Sequence, residues 1–319
     1  MNRTALITGG AGFIGSHLAD RLLADGWRVI AVDNFAIGRR ENIAHLAGEP
    51  GFSFVEADIL DRVALMRIAA DAKVGAVFHL AAVHYIPFCE ANPFEAMRIN
   101  ILGTQAAIDA AVAASASRIV LTSTSDVYAT KDEPFDETDA VDPYTVYGTT
   151  KMVAERLCRL ATTTHPGLSA AVARLFNVYG PRETNPHVLP EILQQLKAGS
   201  VIKLGNLWPR RDFVYVTDVA DALVALLRSP AQFDVFNVGS GRATTIGDAA
   251  NIIARLSMRP MTVAGDPERT RAVERMSLHA NVAKIERALG WRPARSFADG
   301  MTRWLIAEGL LDEIPSRGV

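Results

Sequence analysis

The sequence predicts an α/β protein: a doubly wound parallel sheet with a smaller α/β lobe built from C-terminal segments. Three observations carry that prediction. Short apolar runs alternate with helical patterns through the first half of the chain, as parallel strands joined by helical crossovers do. A glycine-rich turn, "TGGAGFIG", joins the first strand pattern to the first helix pattern. Beyond "LSAAVARLF" the texture changes to "NVYGPRETNPHVLP", rich in Pro, Asn and Gly, which reads as a loop leaving the sheet.

In order, "TALIT" (Thr4 to Thr8) is a short apolar run ending at glycines, as a buried parallel strand is. "IGSHLADRLLADG" (Ile14 to Gly26) has helical apolar spacing and stops at Gly26. "RVIAVD", "FSFVEAD", "AVFHLAA" and "RIVLTST" read as four further strands. Between the last two, "ANPFEAMRINILGTQAAIDAAVAA" reads as one long helix. Another helix runs from "YGTTK" through "MVAERLCRLAT", and "LSAAVARLF" returns as a strand. "EILQQLKAG" is a helix, and "RDFVYVTDVADALVALLRS" passes from strand to helix. From about Arg242 helices mix with short extended pieces, and the polar tail "PSRGV" is expected to fray.

The bulk numbers narrow the function classes. The 319 residues are 49% hydrophobic and 21% charged, as in a soluble globular protein. A net charge of -2 without a long basic run argues against nucleic acid or an anionic membrane as partner. No apolar run approaches the roughly 18 residues of a membrane span. The opening "MNRTALITGG" goes directly into a strand, which leaves no room for a signal peptide. Cys89 and Cys158 lie far apart without metal-ligand spacing, and read as buried free thiols in a reducing compartment. The expectation is a cytoplasmic protein with no metal site.

Gly9, Gly12 and Gly15 recur every third residue between a strand and a helix. Glycine there lets the backbone turn tightly and approach a pyrophosphate, and the following helix N-terminus offers free N–H groups to the anion. Asp33 ends the second strand, 18 residues beyond Gly15. A carboxylate there accepts both ribose hydroxyls and repels a 2′-phosphate, favouring NAD over NADP, although Arg39 and Arg40 follow closely. Asp58 and Ile59 end the third strand, where an adenine would lie. "YGTTK" puts Tyr147 and Lys151 one helical turn apart on one face. The spacing alone is common, but a lysine beside a tyrosine favours the phenolate and so a phenol active in acid–base chemistry.

"TGGAGFIGSHL", Asp33-Asn34, Asp58-Ile59, "HLAA", "TSTSDVY", "YGTTK" and "RLFNVYGPR" occur in one order. Together they resemble the extended short-chain dehydrogenase/reductase family, in particular its NAD-dependent nucleotide-sugar epimerases, dehydratases and decarboxylases. The resemblance runs to "ALGW" (Ala288 to Trp291). It implies a Rossmann-type NAD-binding domain over 1–176 with a returning segment near 208–240, and a nucleotide-sugar-binding lobe over 177–207 and 241–319. It implies that Tyr147 takes a proton from a sugar hydroxyl, that Lys151 holds the nicotinamide ribose and depresses the tyrosine pKa, and that Thr124 supplies a hydroxyl beside them. The cofactor wall it implies comprises Gly9, Gly12, Phe13, Ile14, Gly15, Asp33, Asn34, Asp58, Ile59, Leu80, Ala81, Ala82 and Asn100. At the substrate end, His84 would face the sugar, Asn177 and Arg211 would hold the diphosphate, Arg271 would be a second diphosphate arginine, and Glu274 would reach the nucleotide ribose. The chain departs from the family near Arg271, with "NVAK" where relatives read D-x-S-K. His79 is read as a strand residue packed beneath the cofactor. By resemblance the protein is a homodimer formed by the helix near Phe94 to Ala114 and the helix carrying Tyr147. The alanine-rich "AAIDAAVAAS" would permit close helix approach, across a dimer or internally.

The segment after Thr124 bears on the reaction. The resemblance implies oxidation at C4 of the sugar followed by epimerisation, 4,6-dehydration or loss of a 6-carboxylate as CO2. Many 4,6-dehydratases of the family carry Thr-Asp-Glu, GDP-mannose-type dehydratases and UDP-glucuronate decarboxylases tend to carry Thr-Ser-Glu, and simple 4-epimerases usually have no carboxylate there; here the residues are Thr124, Ser125 and Asp126. Asp126 stands at the carboxylate position one methylene short, about 1.3–1.5 Å less reach. It is either a shortened base or a loop cap. A UDP-glucose/UDP-glucuronate type 4-epimerase is the leading reading, with a 4,6-dehydratase or UDP-glucuronate decarboxylase as alternatives. An NADPH ketone reductase and a non-catalytic dinucleotide-binding protein are the readings from other classes.

Overall fold

The computed structural model describes residues 2–266 and 275–312. The first half comprises β1 (Thr4–Thr8), α1 (Phe13–Ala24), β2 (Arg28–Asp33), β3 (Phe52–Glu56), α2 (Arg62–Asp71), β4 (Ala76–His79), α3 (Ile86–Ala91), α4 (Pro93–Met97), α5 (Gly103–Ala113), β5 (Arg118–Thr124), α6 (Val146–Thr164) and β6 (Ser169–Leu175). Then follow β7 (Asn177–Tyr179), α7 (Val188–Ala198), β8 (Val201–Leu204), β9 (Arg210–Tyr215), α8 (Val216–Leu226), β10 (Phe233–Val238), β11 (Ala243–Thr245), α9 (Ile246–Ser257), β12 (Thr262–Gly265), β13 (Ser277–Leu278), α10 (Ala283–Leu289) and α11 (Phe297–Ala307).

Seven strands form one parallel sheet in the order β3-β2-β1-β4-β5-β6-β10. β1, β4 and β5 are buried along their whole length, which is why they read as unbroken apolar runs rather than alternating ones. Leu18, Leu22, Leu223 and Leu226 of α1 and α8 pack on one face. Leu65, Ala106, Ala110, Ala154 and Cys158 of α2, α5 and α6 pack on the other. The alanines of α5 are thus spent on internal packing: small side chains let α5 lie close between its neighbours. The sheet order reverses between β1 and β4, and ligands of such sheets bind beyond the carboxyl ends of the strands at that point.

The second lobe has its own apolar core, with Ile192, Leu196, Phe213, Ile253 and Trp304 among its members. β9 is its hub, pairing with β7, β11 and β13, while β8 and β12 form a separate pair. Of the segment returning near 208–240, α8 and β10 therefore serve the large sheet and β9 the small one. The tail from Pro315 lies outside the described residues.

One expected element differs. The helix anticipated from Ala91 onward is broken by a π-helical stretch, Arg98–Leu102, between α4 and α5. The wider turn gives Asn100 two bonds to the loop after β4: it accepts from Val83 N–H at 2.8 Å and donates to Val83 O at 2.8 Å. Its amide also donates to Thr150 of α6 at 2.9 Å. His79 extends this scaffold as a buried strand residue. The Thr104 hydroxyl donates to Asn100 O at 2.6 Å, so it accepts from His79 Nε2 at 3.1 Å. His79 Nδ1 is then the acceptor for the Thr8 hydroxyl at 2.7 Å.

Burial pushes His79 down to about 3, and His17 and His84 to about 4, from 6.5. Below pH 6.5 the unfolded chain takes up protons that the folded chain refuses. Their contribution is therefore intact above pH 6.5 and is lost as pH falls towards 4, by up to about 1.4 kcal/mol per pH unit per histidine. Urea unfolding between pH 6.5 and 4.5 should show this slope. His17→Gln, which removes a histidine bonded to Pro181 O, should reduce the slope by about 1 kcal/mol per unit.

Candidate active site

A cavity of about 470 Å³ opens at the strand-order reversal and is walled by both lobes. Its floor is the glycine turn. Gly9 has φ +73° and a Cβ there would stand 2.8 Å from Ala81 N. A Cβ on Gly15 would stand 2.1 Å from Gly9 O, so the helix start can lie this close to the turn only without a side chain. α1 begins at Gly12 without a side-chain cap, leaving the N-terminal N–H groups of Phe13, Ile14 and Gly15 to a ligand.

Asp33 accepts from Ala11 N–H at 3.0 Å and Phe35 N–H at 2.8 Å, which hold its carboxylate in one orientation. Burial raises its pKa and these bonds oppose the rise. A Cβ on Gly38 would lie 2.7 Å from the Asp33 carboxylate, a close approach that the sequence signalled only by a glycine in "AIGRR". Arg40 is taken: it bonds Glu56 at 2.6 Å and lies 4.3 Å over the Phe35 ring. Asp58 is positioned by Asn34 at 3.0 Å and caps Leu60 N–H at 2.8 Å.

α6 starts at Thr145, whose hydroxyl accepts from Gly148 N–H at 2.9 Å. That cap puts Tyr147 in the first turn and Lys151 one turn deeper, both on the cavity wall. Gly148 was not singled out from the sequence. A Cβ there would stand 2.5 Å from Asp126 O, so glycine lets α6 meet the Ser125–Val127 turn. Thr124 accepts from Asp126 N–H at 3.1 Å and hydrogen-bonds the Tyr147 phenol. Lys151, 2% exposed, makes no hydrogen bond to any described residue, which leaves its ammonium for a ligand.

The phenol behaves differently from the expectation. Burial is the largest influence and pushes the Tyr147 pKa up, the Asp126 charge pushes the same way, and the Thr124 bond opposes them. Lys151 itself is pushed down to about 8 by burial, with Glu155 one turn further on opposing the fall. The cavity thus holds a protonated phenol and a lysine poised near neutrality. Burial likewise pushes Cys89 up to about 11 and Cys158 to about 12, so both free cysteines are thiols at pH 7.

At the other end, Asn177 Oδ1 is buried without a hydrogen-bond partner and faces the same cavity, an acceptor open to a ligand donor. Arg211 Nη1 donates to Arg210 O and Arg275 O, each at 2.9 Å. Neighbouring Asp212 gathers the loops beneath it by accepting from Ser240, Gly241 and Ala280 N–H groups. His84 Nε2 accepts from Asn185 at 3.0 Å beside His187.

Phe13, Ile14, Asn34, Asp58, Ile59, Leu80, Ala81, Ala82, His84, Thr124, Asp126, Asn177 and Arg211 all lie on the wall with the glycines, Asp33, Tyr147 and Lys151. Asn100 does not: its amide is consumed behind the wall in holding Val83 and Thr150, which makes it a positioning residue. Arg271 and Glu274 lie outside the described residues. Tyr144 and Arg275 are on the wall without having been singled out, because a lone arginine and an extra tyrosine carry no spacing signal.

Parallel sheet, glycine turn and Tyr–Lys pair define a short-chain dehydrogenase/reductase with an added lobe. The chain belongs to the NAD dependent epimerase/dehydratase family, whose model matches residues 5–239. It is 30% identical to UDP-glucuronic acid decarboxylase 1 of Arabidopsis thaliana, over 98% of this chain and 72% of that one. It is 30% identical to the uncharacterized UDP-glucose epimerase YtcB of Bacillus subtilis (strain 168), over 93% of this chain and 95% of that one. Among solved structures, the UDP-glucose 4-epimerase of Thermotoga maritima with UDP-glucose superposes with a TM-score of 0.86 at 28% identity, covering 97% of this chain and 100% of that one. The dTDP-glucose 4,6-dehydratase DesIV of Streptomyces venezuelae with NAD bound gives 0.85 at 28% identity, covering 96% and 97%. The protein is accordingly an NAD-dependent enzyme of the nucleotide-sugar modifying group. No described helix is long and apolar enough to cross a membrane.

Proposed function

We propose that the protein is a cytoplasmic NDP-sugar 4-epimerase of the UDP-glucose/UDP-glucuronate type. The observation that carries this reading is the convergence of Tyr147, Thr124 and Lys151 on one wall while Ser125 stands where a Thr-Asp-Glu dehydratase would carry its acid. The residues fit NAD: the glycine turn and α1 N-terminus would hold its pyrophosphate, Asp33 the adenosine ribose and Lys151 the nicotinamide ribose. Bound NAD supplies a hydride acceptor, later a donor, and a positive ring that favours the phenolate. Tyr147 Oη takes the proton of the C4 hydroxyl and returns it after the keto sugar has presented its other face. Thr124 holds the phenol in line, and the Asn177 amide N–H and the Arg211 guanidinium would retain the nucleotide diphosphate while the sugar turns.

A decarboxylase is the second reading. Asp126 supports it, since it lies on the wall close enough for its charge to reach the Tyr147 phenol, and a UDP-glucuronic acid decarboxylase is among the relatives. The assay is incubation of the NAD-loaded protein with UDP-glucose, UDP-glucuronate, GDP-mannose and dTDP-glucose. A 4-epimer is expected; a 4-keto-6-deoxy product or CO2 rejects epimerisation.

We also propose a homodimer through α4, the π-helical stretch and α6, where Phe94, Met97, Leu102 and Leu160 are exposed. Light scattering should give twice the 34.5 kDa chain mass, and Phe94→Glu should shift it towards monomer; a monomeric parent protein defeats the proposal.

A further inference from the structure

Arg275 precedes β13 and is 5% exposed, on the wall of the cavity. Its Nη2 donates to Tyr128 O and its Nη1 to Ser125 O at 3.4 Å, which sets the guanidinium against the turn carrying Thr124 and Asp126. The guanidinium carbon stands 4.5 Å from the centre of the Tyr144 ring, itself part of the wall. Nε is buried and has no hydrogen-bond partner. No carboxylate among the described residues forms an ion pair with Arg275. Arg174, also buried, is met by both carboxylate oxygens of Glu155, at 2.9 and 2.7 Å; Arg118, likewise buried with an unpartnered Nε, bonds only backbone carbonyls, but unlike Arg275 it does not line the cavity. A buried cation without such a partner is costly unless a ligand brings the anion.

The substrate class of this cavity has two anionic parts to offer: the diphosphate and, in uronates, a carboxylate on the sugar. Asn177 and Arg211 already serve the diphosphate in the reading above. The Arg275 side chain runs from its backbone beside Arg211 towards the turn next to Tyr147, where C4 of the sugar would stand. C6 is two bonds from C4, so a C6 substituent falls within reach of that turn. We propose that Arg275, set over the Tyr144 ring, is a specificity-determining residue that binds a carboxylate at C6, so that the preferred substrate is a nucleoside-diphosphate uronate. This rests on the sugar standing at Tyr147. The planar fork of N–H donors suits a carboxylate, and the cation lets a carboxylate approach a turn that already carries Asp126.

Recognition is tested apart from turnover by calorimetry on the full-length, NAD-loaded Tyr147→Phe protein, with UDP-glucuronate, UDP-glucose and UDP as probes. UDP-glucuronate is expected to bind about 10- to 100-fold more tightly than UDP-glucose. Adding Arg275→Gln should abolish that preference without the same loss for UDP, and Arg275→Lys should keep part of it. Two results overturn the proposal: equal affinity for the two sugars when Arg275 is present, or an equal loss for UDP in Arg275→Gln, which would assign the guanidinium to the diphosphate. Absence of a preference in a wild-type protein that epimerises UDP-glucose sinks Arg275 alone. A preference in a wild-type protein that turns over no nucleotide sugar sinks the epimerase reading alone.

Discussion

Tyr147→Phe is expected to lower kcat by about 10²–10⁴-fold on the sugar the wild type turns over, with little change in KM. The ring would still pack in the first turn of α6, since Thr145 caps that turn through the Gly148 backbone and not through the phenol. What goes is the phenol oxygen beside Thr124, the group assigned the proton transfer. The phenol acts on the C4 hydroxyl proton in the chemical step and is not needed for the nucleotide diphosphate to be held. The drop should therefore appear in kcat rather than in substrate affinity. Steady-state kinetics on the variant, with an unchanged thermal transition as the folding control, is the measurement. Turnover at the wild-type rate contradicts the role given to Tyr147.

Arg174→Met is expected to destabilise the fold by about 3–5 kcal/mol. Arg174 and Glu155 form a two-point ion pair between β6 and α6, with side chains 5% and 8% exposed. Ser123 adds a hydrogen bond to Glu155 at 2.6 Å, and the guanidinium covers the Tyr128 ring at 4.6 Å. Removing the arginine strands a carboxylate inside the protein. Replacing both partners, as Arg174→Met with Glu155→Leu, should recover most of the loss, because no charge is left to desolvate. Urea unfolding of wild type, single and double variants measures both quantities. A loss below about 1 kcal/mol in the single variant would mean that water reaches the pair. The pair also bears on the site: Glu155 stands one turn beyond Lys151 and holds its pKa up against burial.

The strand–helix alternation was legible because buried parallel strands show as continuous apolar runs, and the glycine turn because close backbone contact forbids side chains at fixed spacing. The spacing of Tyr147 and Lys151 and the strand-end position of Asp33 were legible because local geometry fixes them, whereas Thr124 was named only through the family resemblance. What escaped depends on contacts distant in sequence. The π-helical stretch is set by Asn100 meeting Val83, and nothing in "RINIL" announces it. The departure of β9 into the small sheet is decided by its pairing with β7, β11 and β13. Arg275 acquires its place by reaching across about 150 positions to Ser125 and Tyr128. The direction of the Tyr147 shift was missed because a Tyr–Lys motif records the charge of the lysine and not the burial of the phenol, which is the larger influence here.

In the proposed reaction C4 of the sugar loses its hydrogen as hydride while Tyr147 takes the hydroxyl proton. It is tested most directly by following a nucleotide sugar deuterated at C4 through the NAD-loaded enzyme in ordinary water. A primary isotope effect on turnover and a 4-epimer that keeps the deuterium at C4 are expected. Deuterium released into water, or a 4-epimer formed without any isotope effect from a step that chemistry limits, would contradict it.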